Sequence, residues 1–200
     1  MRITVHCLVK NEENFVWYAI NSVINHVERI IVWDTGSTDN TIPIIKSIKS
    51  NKIDFQEKGP VDPRGVTRLR NEMIDETGTN WIMILDGDEI WWDEALANIK
   101  REIYKDPDKY DTVVNPVTML VGDIYHMQEA RAGKYRIYEK YGHYNLRFVR
   151  AKVKNLKAIG VYGHYPYESY INSSGVKIQN LPKEKIYFSE NTYLHASHLF

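Results

Sequence analysis

Residues 81–89 read WIMILDGDE, and this stretch decides both the fold and the site that the sequence predicts. Its first five residues form an uninterrupted apolar run, which is typical of a strand covered on both faces of a sheet. Its last four residues hold three carboxylates around Gly87. A carboxylate cluster that directly follows a buried strand predicts a ligand site at the carboxyl end of that strand.

Strand-like and helix-like segments alternate on either side of this stretch. The strand-like segments are apolar runs at residues 3–9, 30–33 and 53–55. The helix-like segments carry apolar side chains at helical spacing, at residues 15–27, 43–48, 66–73 and 96–103. Strands that are joined through helices by short connections pair in parallel. The first half of the chain, residues 1–105, therefore predicts an α/β fold with a mostly parallel, Rossmann-like sheet.

Two more polar clusters stand where predicted strands end, at residues 10–13 (KNEE) and 34–37 (DTGS). The carboxyl ends of parallel strands meet at one edge of a sheet, and ligands bind in the crevice there. We therefore expect both clusters to converge with residues 86–89 although they are far apart in sequence. Asp34 in particular has the position of an acidic residue that accepts hydrogen bonds from a nucleoside.

The second half of the chain, residues 106–200, has a different pattern. Residues 112–121 predict a long strand that is bent or at an edge because Pro116 interrupts it. Residues 145–149 predict another strand, and the Gly- and Tyr-rich residues 122–142 and 158–175 predict loops. We expect one domain over residues 1–200, with a mixed, loop-rich second half.

The charge balance limits the classes of partner. The chain has 200 residues with 26 Lys and Arg and 26 Asp and Glu, which argues against nucleic acid as a partner. The charge differs between the two halves of the chain. Residues 1–100 hold 11 basic and 16 acidic side chains, whereas residues 101–200 hold 15 basic and 10 acidic side chains. A single cysteine, Cys7, excludes a disulfide framework. With neither a signal peptide nor an apolar stretch long enough for a transmembrane span, the sequence predicts a cytoplasmic protein, and peripheral attachment to the membrane face stays open.

Asp86 and Asp88 are candidate ligands of a hard divalent cation. Two carboxylates around a glycine at a strand end can share such an ion, which would clamp a diphosphate and neutralise the charge on a leaving group. The glycine-rich fingerprint of dinucleotide-binding folds and the P-loop motif are both absent from the sequence, which weakens those two interpretations.

Four blocks of the chain together resemble glycosyltransferase family 2, which has the GT-A fold. They are residues 7–13 (CLVKNEE), residues 32–41 (VWDTGSTDNT), Arg70-Asn71 and residues 81–89 (WIMILDGDE). The resemblance covers roughly residues 3–105. It implies an inverting transfer of a sugar from a nucleotide diphosphate donor, commonly UDP-linked, with Mn²⁺ or Mg²⁺ as the cofactor.

The resemblance also implies roles for individual residues. Asp88 would ligate the metal, Asp86 would contact the ribose or the metal, and a late histidine would supply a further ligand, for which we favour His195 over His198. The remaining residues implied to contact the nucleotide are Lys10, Asn11, Glu13, Asp34, Arg70 and Gly87.

The acceptor side is predicted in the second half of the chain. An inverting transfer needs a base that deprotonates the acceptor hydroxyl, and Glu168 is our candidate, with Asp123 and Glu129 left open. Aromatic faces stack on sugar rings, so a tyrosine-rich surface suits a glycan or a lipid-linked glycan as the acceptor. The residues predicted on this side are His164, Tyr165, Tyr167 and Arg147.

Two other classes of function stay open on the sequence alone. One is a sugar-1-phosphate nucleotidylyltransferase, against which the absence of glycine in residues 8–14 counts. The other is a non-catalytic module that binds a glycan or a nucleotide. Their products separate them: a transferase releases a nucleoside diphosphate, a nucleotidylyltransferase releases pyrophosphate, and a binding module releases neither.

Overall fold

The computed structural model describes residues 2–199, which fold around a mixed sheet of nine strands. The helices are α1 (Val16–Val23), α2 (Thr41–Ser47), α3 (Pro63–Asp75) and α4 (Asp93–Lys105). The strands are β1 (Ile3–Val9), β2 (Arg29–Asp34), β3 (Ile53–Glu57), β4 (Trp81–Ile84), β5 (Glu89–Trp91), β6 (Thr112–Met127), β7 (Tyr135–Ile137), β8 (Lys140–Gly142), β9 (Tyr144–Arg150), β10 (Lys157–Val161), β11 (His164–Ile171), β12 (Ile186–Phe188) and β13 (Tyr193–Leu199). No helix among these residues combines the length and the apolar character that crossing a membrane requires.

The first half of the chain has the parallel order β3-β2-β1-β4 that its alternating pattern predicts. Val5 of β1 pairs with Ile30 of β2 on one side and with Met83 of β4 on the other. All three side chains are fully buried, as expected for strands covered on both faces. The strand order reverses at β1, and a crevice beyond the carboxyl ends of β1 and β4 follows from that reversal.

The second half of the chain extends the same sheet with mixed pairing. Strand β9 lies antiparallel between β4 and β6, and β13 runs parallel to β6 and antiparallel to β5. The aromatic residues Trp91, Phe148 and Tyr193 pack together there, with Trp91 and Tyr193 stacked at 4.4 Å between ring centroids. The outcome is an α/β fold with a mixed second half, which confirms the predicted fold class.

Strand β6, predicted to be bent or at an edge, is paired on both sides, so the edge alternative is wrong. On one side its partner is β12 up to Val114 and β13 from Val117 onward. Pro116 lies at this change of partner, where its missing N–H leaves no ladder hydrogen bond unmade. Further along, the Gln128 amide donates to the Met119 carbonyl (2.9 Å), so the end of β6 folds back on itself.

Residues 158–175 were predicted as a loop, and this prediction is wrong. Strands β10 and β11 form a two-stranded hairpin there, and α3 packs against β10. Gly160 marks an irregularity in the pairing: its φ is +92°, and a Cβ there would lie 2.4 Å from the Tyr167 carbonyl oxygen. The sequence did not predict the hairpin because residues 158–175 are rich in glycine and tyrosine. Neither residue type produces the apolar alternation that indicates a strand.

Candidate active site

A crevice of about 570 Å³ opens beyond the carboxyl ends of β1 and β4. Its lining includes Lys10 and Glu12 after β1, the Asp86–Asp88 turn after β4, Arg70 of α3 and His195 of β13. The clusters at residues 10–13 and 34–37 meet beside it, since the Asn11 amide donates to the Ser37 hydroxyl (2.9 Å). The predicted convergence of the three polar clusters is therefore confirmed.

Asp88 and His195 form a pair within the crevice. His195 Nε2 lies 3.2 Å from Asp88 Oδ2, and the two side chains are only 20% and 12% exposed. Burial alone would lower the pKa of His195, but its hydrogen bond to Asp88 and the neighbouring carboxylates raise that pKa above its usual value. The backbone fixes the pair, because the Ala196 amide donates to the Asp88 carbonyl (2.9 Å) and β13 pairs with β5.

The donor set of Asp88 and His195 fits a divalent cation of the Mg²⁺ or Mn²⁺ type. A carboxylate oxygen suits both Mg²⁺ and Mn²⁺, and an imidazole nitrogen is a ligand for transition-metal ions, the class to which Mn²⁺ belongs. Within residues 2–199, no three His, Cys, Asp or Glu side chains are grouped to hold a metal ion on their own. Mg²⁺ is commonly bound through one or two carboxylates plus the phosphates of a substrate, and this arrangement is suited to that mode.

Asp86 has a different partner from Asp88. Its Oδ2 accepts a hydrogen bond from Arg147 Nη2 (2.7 Å), and the same nitrogen contacts the fully buried Glu89. Burial would raise the pKa of Asp86, but Arg147 and Arg70 lower it below its ordinary value, so Asp86 is held as a carboxylate. Burial raises the pKa of Glu89 to about 7 against the influence of Arg147.

Arg147, predicted on the acceptor side, contacts the Asp86–Asp88 turn and also lines the neighbouring cavity, so its role toward an acceptor stays a prediction. Its Nε donates to the Tyr193 hydroxyl (3.0 Å), which also fixes the guanidinium. Only 11% of the Arg147 side chain is exposed. A buried arginine that contacts two carboxylates positions those carboxylates, and a sequence cannot show this pairing because Arg147 follows Asp86 by 61 residues.

Glu12 lines the crevice and was missed as a site residue. A Cβ on Gly87 would lie 2.7 Å from Glu12 Cγ, so the two residues are in direct contact and Gly87 leaves room for the glutamate. Burial, with the charges of Asp88 and Asp86, raises the pKa of Glu12 to about 7. The sequence feature that could have identified Glu12 as a site residue is its position within the polar cluster at residues 10–13.

Three of the residues predicted to contact the nucleotide hold the loops together. Asn11 Oδ1 accepts from the Thr38 amide (2.8 Å), and Glu13 Oε2 accepts from the Asn40 amide (2.9 Å). Asp34, only 1% exposed, accepts from two amides of its own loop, including that of Gly36 (2.9 Å). The bonds of Asn11 and Glu13 join the loop after β1 to the loop after β2, and those of Asp34 shape the second loop. Contact of the three residues with a nucleotide stays a prediction.

Glu168, the predicted base, lies on β11 and is paired with Arg70. Arg70 Nε and Glu168 Oε1 are 3.0 Å apart, and both side chains are largely buried. Arg70 lines the crevice, whereas Glu168 lines a neighbouring cavity. Tyr165 and Tyr167 are 87% and 65% exposed on the same hairpin. The structure therefore places Glu168 next to the crevice, behind Arg70, and its role as the base stays a prediction.

The alternatives to Glu168 line neither the crevice nor the cavity that Glu168 lines. Asp123 is exposed at the folded-back end of β6, where it accepts from the Tyr125 amide (2.8 Å) and contacts His126 (2.8 Å). Glu129 is exposed as well, and His164 is exposed on β11. Tyr162, which sequence reasoning did not single out, joins the crevice lining.

Comparison with known proteins connects this geometry to one family. The model of glycosyl transferase family 2 matches residues 4–165. A curated relative, the SPbeta prophage-derived glycosyltransferase SunS of Bacillus subtilis (strain 168), is 28% identical over 197 residues, which cover 92% of this chain and 45% of SunS. The chain thus spans about half the length of the curated relatives it matches.

Solved structures share the fold at low identity. TarS of S. aureus, solved in complex with UDP-GlcNAc, has a TM-score of 0.53 at 16% identity, over 76% of this chain and 46% of that structure. Glucosyl-3-phosphoglycerate synthase from Mycobacterium tuberculosis, solved with Mn²⁺ and UDP-glucose, has a TM-score of 0.58 at 15% identity, over 97% and 71% of the two chains.

Proposed function

This chain belongs to glycosyl transferase family 2, and we propose that it moves a sugar from a UDP-linked donor to a hydroxyl acceptor with the help of Mn²⁺ or Mg²⁺. The observation that carries the proposal is the pair of Asp88 and His195 in the crevice, beside the Asp86 carboxylate that Arg147 holds. The TarS and glucosyl-3-phosphoglycerate synthase structures, which contain UDP-sugars, support UDP as the nucleotide.

Asp88 and His195 would hold the cation, with Asp86 beside them. When bound, the cation supplies charge neutralisation for the diphosphate and for the leaving nucleotide. Lys10 and Arg70 line the same crevice and add fixed positive charge against the phosphates. Glu12 packs on Gly87 and would bring a further carboxylate to the metal side of the crevice.

Glu168 would act on the acceptor. In an inverting displacement, a base takes the proton of the acceptor hydroxyl as that oxygen attacks the sugar carbon, and the diphosphate leaves from the opposite face. Arg70, which lines the crevice, holds Glu168 beside it as an ion pair, and this supports Glu168 over exposed Asp123 and Glu129. The exposed Tyr165 and Tyr167 would contact a glycan or lipid-linked glycan by stacking.

A cytoplasmic location is part of the proposal. Cys7 is a free thiol and fully buried, which is compatible with a reducing compartment. The protein would then bind its UDP-sugar donor and its acceptor on the cytoplasmic side, and any attachment to a membrane would be peripheral.

The identity of the products tests the proposed function. One reaction supplies UDP-sugars with Mn²⁺ and a panel of hydroxyl acceptors, water included, to take the sugar, and a second supplies UTP, a sugar 1-phosphate and Mg²⁺. We expect UDP from the first reaction and no pyrophosphate from the second. Pyrophosphate from the second reaction would indicate a nucleotidylyltransferase, and neither product would indicate a binding module, so either result would overturn the proposal.

A further inference from the structure

A second cavity of about 410 Å³ adjoins the crevice and is separate from the proposed donor site. It lies between β9, strand β7 and the β11 strand of the hairpin. Among residues 2–199, only Arg70 lines both spaces, and Glu168 stands on the cavity side of Arg70. A ligand in this cavity would therefore be next to the proposed base and next to the donor.

The lining of this cavity is cationic. In the part of the chain that the structure describes, its lining holds a single carboxylate, that of Glu168. It also holds four basic side chains, those of Arg70, Arg136, Arg147 and Lys177. The two inner arginines are already neutralised, Arg70 by Glu168 and Arg147 by carboxylates at the crevice. Arg136 and Lys177 at the rim form no ion pair with any of residues 2–199. Two positive charges at the mouth of the cavity are thus left without a protein counter-ion.

The floor of the cavity contains a buried polar group of the kind that a ligand satisfies. Tyr170 is only 9% exposed, and its hydroxyl lies next to the Arg70 guanidinium but makes no hydrogen bond of standard geometry within residues 2–199. Ser169 and Gln179 lie beside it and bond to each other (3.0 Å). Buried hydroxyls are ordinarily hydrogen-bonded, so this one points to a further polar group at the site.

We propose that this cavity binds an oxyanion, either a phosphate or a carboxylate group, carried by the acceptor of the reaction. The inference rests on the proposed function and names the chemical class of its acceptor. Arg136 offers the planar fork of donors that fits an oxyanion, and Lys177 adds a point charge. An acceptor anchored there would present a hydroxyl toward Glu168 and the donor crevice. The basic second half of the chain thereby gains a defined ligand site.

Calorimetric titration of glycerol 3-phosphate tests this inference, with glycerol as the matched neutral probe. The protein is first saturated with UDP and Mn²⁺, so that the phosphate cannot bind in place of the donor. We expect binding of glycerol 3-phosphate and no binding of glycerol. The double variant Arg136→Gln/Lys177→Gln should bind the phosphate about tenfold or more weakly. The double variant Arg131→Gln/Lys152→Gln, which removes the same charge at exposed positions outside the cavity, should bind as the wild type does.

Three results would overturn the inference: no binding of glycerol 3-phosphate at millimolar concentration, equal binding of glycerol, or equal weakening in both double variants. UDP affinity with Mn²⁺ is measured for each protein as the check on folding and on the donor site. Failure of UDP to bind the wild type would contradict the proposed function itself. UDP binding without phosphate binding would contradict only the inference about the acceptor.

Discussion

The crevice and the β10–β11 hairpin beside it are built in opposite ways. At the crevice, Asp88 is 9% exposed and pairs with His195, and Glu89 behind it is 0% exposed and pairs with Arg147. On the hairpin, by contrast, Tyr165 and Tyr167 are 87% and 65% exposed. A buried, ion-paired site is organised before its ligand arrives, which suits a small and highly charged donor. An exposed aromatic surface suits a larger acceptor whose contacts are mainly stacking.

The charge of the chain divides less simply than its sequence predicts. Residues 1–100 carry an excess of five acidic side chains and residues 101–200 an excess of five basic ones. The structure nevertheless places Arg147 and His195, both from the second half, against Asp86 and Asp88 of the first. The crevice is therefore shared by the two halves, and Arg136 and Lys177 of the second half line the neighbouring cavity.

The largest effect is expected at Asp88, on the crevice side of the comparison. Asp88→Asn removes a negatively charged ligand and keeps the shape of the side chain, so the gain in UDP affinity that Mn²⁺ provides should be abolished. Calorimetry of UDP with and without Mn²⁺ measures that gain. Asp75→Asn, at an exposed position in the last turn of α3, is the control and should keep it. A variant at Asp88 that retains the full gain would remove this residue from the metal site.

Arg147 tests whether the crevice depends on its buried ion pairs. Arg147→Met leaves Asp86 and the fully buried Glu89 without their cation, which should lower the free energy of unfolding by about 3–5 kcal/mol. Lys183 and Glu139 form an exposed pair, so Lys183→Met should leave that free energy unchanged. Urea unfolding compares the two variants, and equal stability of both would mean that Arg147 does not stabilise the site.

A substitution of Glu168, which lies between the crevice and the exposed surface of the hairpin, tests its role as the base. Glu168→Gln keeps a hydrogen-bond acceptor for Arg70 but cannot take a proton, so UDP release from a UDP-sugar should slow about a hundredfold or more. UDP affinity should stay at the wild-type value, because Glu168 does not line the crevice. Glu184→Gln, at an exposed position, is the matched control. An unchanged rate at normal UDP affinity would exclude Glu168 as the base.

Gly87 gives the smallest of these effects and tests the contact with Glu12. Gly87→Ala places a methyl group 2.7 Å from Glu12 Cγ, and this overpacking should lower the free energy of unfolding by about 1–3 kcal/mol. A Cβ on Gly78 would meet nothing within 4 Å, so Gly78→Ala should be tolerated. Adding Glu12→Ala to Gly87→Ala should restore stability. If the double variant stayed as unstable as Gly87→Ala, the steric cause would be wrong.

The first half of the fold could be predicted because its buried strands are short and mostly apolar runs. Residues 81–85 and the polar residues after them were enough to place β4 and the crevice. The β10–β11 hairpin could not be predicted, since half of it faces solvent with tyrosines and glycines in no clear alternation. The pairing of Arg147 with Asp86 and the packing of Glu12 on Gly87 depend on tertiary contacts that no local pattern encodes.

A single titration addresses the central claim that the crevice holds a nucleotide through a cation at Asp88 and His195. UDP is titrated calorimetrically into the wild-type protein in the presence of Mn²⁺, and again after chelation of all divalent ions. We predict clear binding with Mn²⁺ and at least tenfold weaker binding after chelation. Equal affinity under the two conditions, or no binding of UDP under either, would contradict the account.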